Sequence, residues 1–324
     1  MTINLPKIKS RKRKLPRIFT ENWLILTIYG VNIFLIIFAS ITSPYFRTMY
    51  NAITLMKQAV VLGIIAIGQT ILILSGAIDL SMGSTITLIS LLVGGLMNNQ
   101  DKLAIPVMLL AIVIGTGIGF IHGLLTTKAK LEPFIVTLGT FSIIQGIAYA
   151  YTTVPIGGIS SGLSNLLYYG QLGPIPLPII YLVVIFIVIY LVLNYTKFGR
   201  SIYAIGGKEE VARRSGINTD KIKIIRFTLV GFLVSIAALI ATGRMGIGDP
   251  LAGSGMEFDA ITAAVIGWIS LYGGRGSLFG TFGGVLLLGL INNIMVMWNV
   301  NMFYQQLIKG IIVLLAVSIY KQKK

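Results

Sequence analysis

Few side chains in this chain have reactive chemistry to offer. Among 324 residues there are ten Asp/Glu, one His and no Cys. No cluster of His, Cys and acid has the spacing of a metal site. The lack of cysteine excludes disulfides and thiolate chemistry. No nucleophile elbow occurs between a strand and a helix, and no G-x-x-x-x-G-K-[S/T] loop is present to cradle a nucleotide. The chain is therefore expected to be no enzyme and to hold no metal or cofactor. Any energy source must come from another subunit.

The polar residues that remain sit inside or beside apolar runs, where they line pathways, couple ions or join helices. Asp79, in Ser75-Gly76-Ala77-Ile78-Asp79-Leu80-Ser81, fits two roles. It can be an intramembrane ion site, or Asp79 or Ser81 can cap the helix that follows. His122 lies alone in a glycine-rich run and reads as a hydrogen-bonded packing residue. Gln69, Thr70, Gln145, Asn292, Asn293, Gln305 and Gln306 would be costly against lipid. They are expected to face a cavity or a neighbouring helix. Trp268 falls in mid-run, too deep for an aromatic belt at the membrane surface.

One polar stretch stands apart. From Asn194 to Arg226 the apolar pattern stops, and Lys208-Glu209-Glu210-Val211-Ala212-Arg213-Arg214-Ser215-Gly216 reads as a short helix. Acids in its first turn and arginines in its last match the helix dipole. Glu209 with Arg213 and Glu210 with Arg214 are i,i+4 pairs, and Gly216 stands at a left-handed C-cap. Two turns make a peg of about 12 Å, a shape for a partner to grip.

The elements that must position these residues are membrane spans. Apolar residues make up 55% and charged residues 11% of the chain, about half the charge of a soluble domain. Runs of some 20 apolar residues fall at 23–42, 52–74, 82–98, 104–126, 133–152, 176–194, 224–243, 257–273, 277–297 and 302–320. The third, fifth and eighth are weakly bounded. Ten spans put both termini on one side. All but five of the 26 Lys/Arg then lie on that side too, the five being Arg47, Lys57, Lys102, Arg244 and Lys309. By the positive-inside rule it is the cytoplasm. The net charge of +16 thus encodes topology and does not call for nucleic acid.

The expected organisation is a basic cytoplasmic tail at 1–22, one transmembrane domain at 23–320 with its cytoplasmic loop at 194–226, and a second basic tail at 321–324. Opposite the loop, residues 153–178 carry no charge and end in Pro174, Pro176 and Pro178. They are expected to be stiff and extended, with no folded external domain. Two glycine-punctuated series resemble each other faintly: Ser75–Ser81 leading to Gly94-Gly95 and Gly115-x3-Gly119-x3-Gly123, and Gly255–Asp259 leading to Gly273-Gly274, Gly280 and Gly283-Gly284. Spans two to five and seven to ten would then be inverted repeats, a transporter trait.

Several motifs together resemble the inner-membrane permease subunits of bacterial ABC importers for ribose and related simple sugars. They are Gly68-Gln69-Thr70 through Ser84, Pro133–Thr140, Phe198-Gly199-Arg200, Ala204–Gly207, Ala212–Ile217, Ala264–Gly267, Gly273–Ser277 and Asn292-Asn293. The likeness covers roughly residues 50–320. It implies an all-α, ten-span permease in the bacterial cytoplasmic membrane, paired with a second copy or a paralogue. It also implies separate ATPase subunits gripping the mid-chain loop, and an extracytoplasmic binding protein delivering the solute. On that basis Lys208, Glu209, Glu210, Ala212, Arg213, Arg214, Ser215 and Gly216 are expected to couple to the ATPase. Gln69, Asp79, Ser81, Gln145, Trp268, Asn292 and Asn293 are expected along the pathway. Lys208, Gln145, Ala77 and Trp268 depart from the family pattern, where Asn, a basic residue, Gly and a small residue are usual. Nucleosides or branched amino acids are alternative solutes, and a proton-coupled carrier using Asp79 is an alternative mechanism.

Overall fold

The structure, a computed structural model, describes residues 17–319. Residues 1–16 of the expected first tail and the whole of the second lie outside the described residues. Thirteen helices follow in order: α1 Arg17–Thr42, α2 Met49–Leu74, α3 Met82–Met97, α4 Ala104–Thr127, α5 Pro133–Tyr151, α6 Ser161–Ser164, α7 Leu177–Tyr195, α8 Lys197–Gly207, α9 Glu209–Arg214, α10 Thr219–Met245, α11 Met256–Ile266, α12 Leu278–Met297 and α13 Met302–Ile319. Among the described residues, seven of these are long and apolar enough to cross a membrane: α1, α2, α4, α5, α7, α10 and α12. The shorter α3, α11 and α13 fall at the other three expected positions. The fifth is full length, whereas the third and eighth are short and preceded by irregular chain.

Caps fix where the helices begin. Thr48 accepts from Asn51 N at α2, Thr196 from Gly199 N at α8, Asn218 from Lys221 N at α10 and Ser277 from Phe279 N at α12. Proline opens α5 and α7, where its missing N–H is no loss.

The core is built on α2 and α10, which run antiparallel. Gly68 of α2 lies against Val230 and Leu233 of α10, and Arg226 near the start of α10 reaches Ser75 at the end of α2. Around them the contacts come in matched sets. α4 packs on α10 as α12 packs on α2. α3 packs on α5 as α11 on α13, and α3 meets α10 as α11 meets α2. With the two central helices opposed, these pairings are those of two inverted four-helix halves.

Each half contains a break. Residues 75–81 join α2 to α3, and 246–255 lead into α11. Backbone away from water must find partners within the protein. Thr87 and Ser90 of α3 accept from Gly253 N (3.2 Å) and Asp249 N (3.3 Å), while Gly248 and Ile156 exchange a pair of backbone bonds. The breaks meet where Gly83 lies against Gly253 and the buried side chain of Glu257. Any side chain at Gly83 would strike both.

The segment 153–178 departs from the expected extended strand. It folds back on the bundle through α6, a turn of wider helix over Asn165–Tyr169, and a two-residue hairpin, β1 Gln171–Leu172 with β2 Ile175–Pro176. Tyr169 Oη donates to Arg244 O (2.9 Å), and Lys57 lies 4.2 Å from the centre of the Tyr168 ring. The Lys57 cation and the Arg244 carbonyl thus hold two neighbouring tyrosines on the bundle, which proline and glycine counts do not reveal.

Close approach of α4 and α10 depends on Gly115, Gly119 and Gly231. A Cβ on Gly119 would fall on the backbone of Phe227 and Gly231. Gly119→Val is expected to destabilise the protein by about 1–3 kcal/mol, the usual cost of overpacking. Gly117→Val, on a face where nothing lies within 4 Å, is the control. Thermal melting in detergent should show a lowered midpoint for the first alone.

Candidate functional site

The peg forms as the charge pattern requires. α9 begins after Lys208, which is extended, and ends with Gly216 N donating to Arg213 O and Ile217 N to Ala212 O. Gly216 sits at φ +83°, the left-handed residue of a Schellman motif. Arg213 lies 3.4 Å from Glu209 and Arg214 lies 2.5 Å from Glu210, both at i,i+4. Two further bridges tie the peg to the root of α10: Arg213 to Asp220 at 3.2 Å and Lys223 to Glu209 at 2.6 Å. Ala212 is buried beneath it. Glu210, Val211, Arg214, Ser215 and Lys208 face outward.

The peg is thus two-sided, one face staked to the bundle and the other bare. Burial disfavours the Glu209 carboxylate, but Lys223, Arg213 and Arg226 outweigh it and hold its pKa below the usual glutamate range. Its pairing therefore contributes at pH above that range and is lost as pH falls through the lowered value.

Arg226 leads inward from there. Its side chain is fully buried and its Nη1 donates to Ser75 O at 2.6 Å, at the end of α2. Four residues on, Asp79 Oδ1 accepts from both Ser81 N and Ser81 Oγ at 2.7 Å. Its Oδ2 lies 3.6 Å from His122 Nδ1, and His122 Nε2 is 2.8 Å from Thr140 Oγ1 on α5. Thr137 of α5 donates to Ile78 O (3.2 Å). Asp79 therefore does not cap α3. It closes a local turn on Ser81, and Ser81 occupies the N-cap without a side-chain cap bond, its hydroxyl donating to Asp79 instead. As expected, His122 is buried and hydrogen-bonded, but it also joins the break to α4 and α5.

The other candidate residues are not brought to one place. Gln69 is fully buried in α2 with neither amide atom partnered, and beside it Thr70 Oγ1 meets Thr281 Oγ1 at 2.7 Å. Asn293 exchanges amide hydrogen bonds with Asn51, 2.9 and 3.3 Å, at the far end of the same helix. Nineteen residues of helix, about 28 Å, separate Asn51 from Thr70. Asn292 is half-buried beside Asn293, and Gln145 half-buried on α5.

Two buried groups lay outside the candidate set. Arg226 counted as a loop cation, although it falls inside the apolar run 224–243. Glu257 is buried with Oε2 unpartnered; its place against Gly83 has no local sequence signal. Lys309, assigned by charge counting to the outer side, is held by Asp259 at 2.8 Å between α13 and α11.

Trp268 occupies an unusual backbone position. At the end of α11, Trp268 N donates to Val265 O and Ile269 N to Ala264 O, the same motif that closes α9 at Gly216 and α2 at Gly76 (φ +77°). Here the left-handed residue is a tryptophan at φ +64°, which costs an L-residue about 1–2 kcal/mol.

Residues 51–317 match the family described as "Branched-chain amino acid transport system / permease component". The chain is 40% identical over 295 residues to the ribose import permease protein RbsC of Bacillus subtilis (strain 168), covering 89% of this chain and 90% of that one. It is 34% identical over 313 residues to the ribose import permease protein RbsC of Escherichia coli (strain K12), with coverage of 95% and 97%. To the D-allose transport system permease protein AlsC of the same strain it is 32% identical over 294 residues, 90% of each chain. No solved structure matches it.

Strain and packing at Trp268 can be separated. Trp268→Ala removes the indole but keeps a Cβ at positive φ, whereas Trp268→Gly removes both. The glycine variant is expected to be more stable than the alanine variant by about 1 kcal/mol, read as a higher melting midpoint in detergent.

Proposed function

The chain belongs to the branched-chain amino acid transport system permease family, and from that premise we propose that it is the membrane-spanning subunit of an ATP-driven importer for a sugar or sugar-like solute. The observation that carries the substrate class is the end-to-end match to permeases named for ribose and allose. Those matches favour a sugar over branched amino acids. The polar pattern gives no competing chemistry: Asp79 is engaged by Ser81 on one oxygen and faces His122 on the other, a poor arrangement for a freely loading proton carrier.

In this reading the peg docks to separate ATPase subunits on the cytoplasmic side, and both termini lie on that side. The geometry of α9 supports it. Glu210, Val211 and Arg214 form a bare outer face, while Glu209 and Arg213 fasten the inner face to α10. A push on the peg is then carried into α10 and, through Arg226, to the break at Ser75. The breaks at 75–81 and 246–255 flex as the pathway alternates between the two sides. Gln69, Asp79, Ser81, Gln145, Trp268, Asn292 and Asn293 remain proposed pathway residues. An extracytoplasmic binding protein presents the solute. A second permease copy or a paralogue, with membrane lipid, covers apolar faces such as Phe134, Ile135, Leu138, Ile143 and Ile147 on α5, all exposed in the single chain.

Glu210→Ala/Arg214→Ala strips the outer face without touching the stakes to α10. Co-purification of the ATPase subunit and ATP-driven uptake in proteoliposomes are both expected to fall at least tenfold. The melting midpoint of the isolated permease should stay within a few degrees. Unchanged association and uptake would refute the docking role. Replacing Glu209 and Arg213 as well should add a loss of stability.

A further inference from the structure

A cavity of about 390 Å³ opens beside the peg. It is bounded by the last turn of α4, the α4–α5 turn, the end of α2 at Ser75 and Gly76, and the facing sides of α9 and α10. Its acids are mostly committed. Glu209 is held by Lys223 and Arg213, and Asp220 by Arg213. Glu132 is exposed.

Arg226, also in the wall, is not matched in this way. Its side chain is 1% exposed, its Nε has no partner, and its one hydrogen bond goes to a neutral carbonyl. Among the described residues no carboxylate lies within ion-pair distance of it. The Glu209 carboxylate acts on it only from beyond ion-pair distance, being bound to Lys223 and Arg213, and the Phe227 ring, 5.3 Å from the guanidinium carbon, offers only a weak counter-charge. A buried charge left in this state is costly unless a counter-ion joins it.

Two further features point the same way. α5, 19 residues long, starts at the cavity with Glu132 extended at its N-cap and Pro133, which carries no N–H, in the wall. The positive end of its dipole suits an anion. Lys130, exposed in the same turn at φ +55°, has no acidic partner among the described residues.

We propose that this cavity binds a phosphate-bearing anion, with Arg226 as the buried charge, Lys130 as the outer charge and the positive end of the α5 dipole turned toward it. The volume admits a phosphate with a small group attached. Such a phosphate has two sources. One is a soluble phosphate ester; the other is the headgroup of an anionic phospholipid, whose chains would lie along the exposed Phe134 and Ile135. In either case the occupant ties the α4–α5 turn to the root of the peg. Binding can be measured on the permease alone, so the outcome is independent of whether the chain imports a sugar.

The full-length protein in neutral detergent is titrated with inorganic phosphate and with ribose 5-phosphate, against chloride at equal ionic strength and against neutral ribose. In parallel it is reconstituted into phosphatidylcholine vesicles with and without phosphatidylglycerol. A rise in melting midpoint with either soluble phosphate beyond the chloride control assigns the soluble source. A rise confined to phosphatidylglycerol assigns the lipid. In both cases Arg226→Gln should weaken binding at least tenfold and Lys130→Gln several-fold. Lys130 is exposed, so its variant tests the site even where Arg226→Gln does not fold. The proposal is overturned if no phosphate-bearing probe exceeds its control, or if Lys130→Gln binds as tightly as the parent.

Discussion

The structure depends on one constraint: two helices are interrupted inside the bundle, and the freed backbone groups must be satisfied without water. The chain meets it with small hydroxyl residues on α3. Ser84, Thr87 and Ser90 recur at every third position of α3, and the latter two accept N–H groups from the 246–255 segment. Ser84 Oγ donates back to Ser81 O (2.9 Å) at the other break. One helix therefore serves both interruptions. Apolar residues at these positions would leave Gly253 N and Asp249 N without those acceptors.

The same constraint explains the distribution of glycine. An interrupted helix needs its neighbours close, because partners must come within hydrogen-bond distance. The Gly115–Gly119 face of α4 on α10, and Gly280 and Gly284 of α12 on α11, allow that closeness in the two halves. The matched pairings of the halves recur in opposite directions, although these two glycine contacts are not equivalents of each other. The two copies are not equivalent where they meet. Gly83 and Glu257 each follow a methionine at the start of a half-length helix, and the glycine of one leaves the space that the carboxyl of the other fills.

Much of this was legible in the sequence, for reasons of differing strength. The positions of the apolar helices follow from hydropathy, since lipid tolerates little else. The peg was legible to its last residue because its signals are local: two i,i+4 pairs and a C-cap glycine within nine residues. Contacts distant in sequence were not legible. Arg226 falls inside the apolar run 224–243, but its acceptor, Ser75, lies 151 positions away and leaves no local mark. The double engagement of Asp79 was half legible. The turn onto Ser81 is two residues long, whereas His122 lies on another helix. The folded segment at 153–178 was misjudged because proline suggests stiffness, while its course is set by Lys57 and Arg244 on helices elsewhere.

The polar contacts form an ordered series from the peg to the interior. Glu209 bonds Lys223 on α10, Arg226 one turn along α10 bonds Ser75, and Asp79 in the same break faces His122, which meets Thr140. Each step joins two elements, and removing one partner of a buried step leaves the other unpaired. Apolar contacts of the core yield gradually when helices slide, because they are non-directional. Hydrogen bonds to a carbonyl or a carboxylate break or hold. In the proposed coupling, a displacement of the peg would reach the break as a change in which bonds exist.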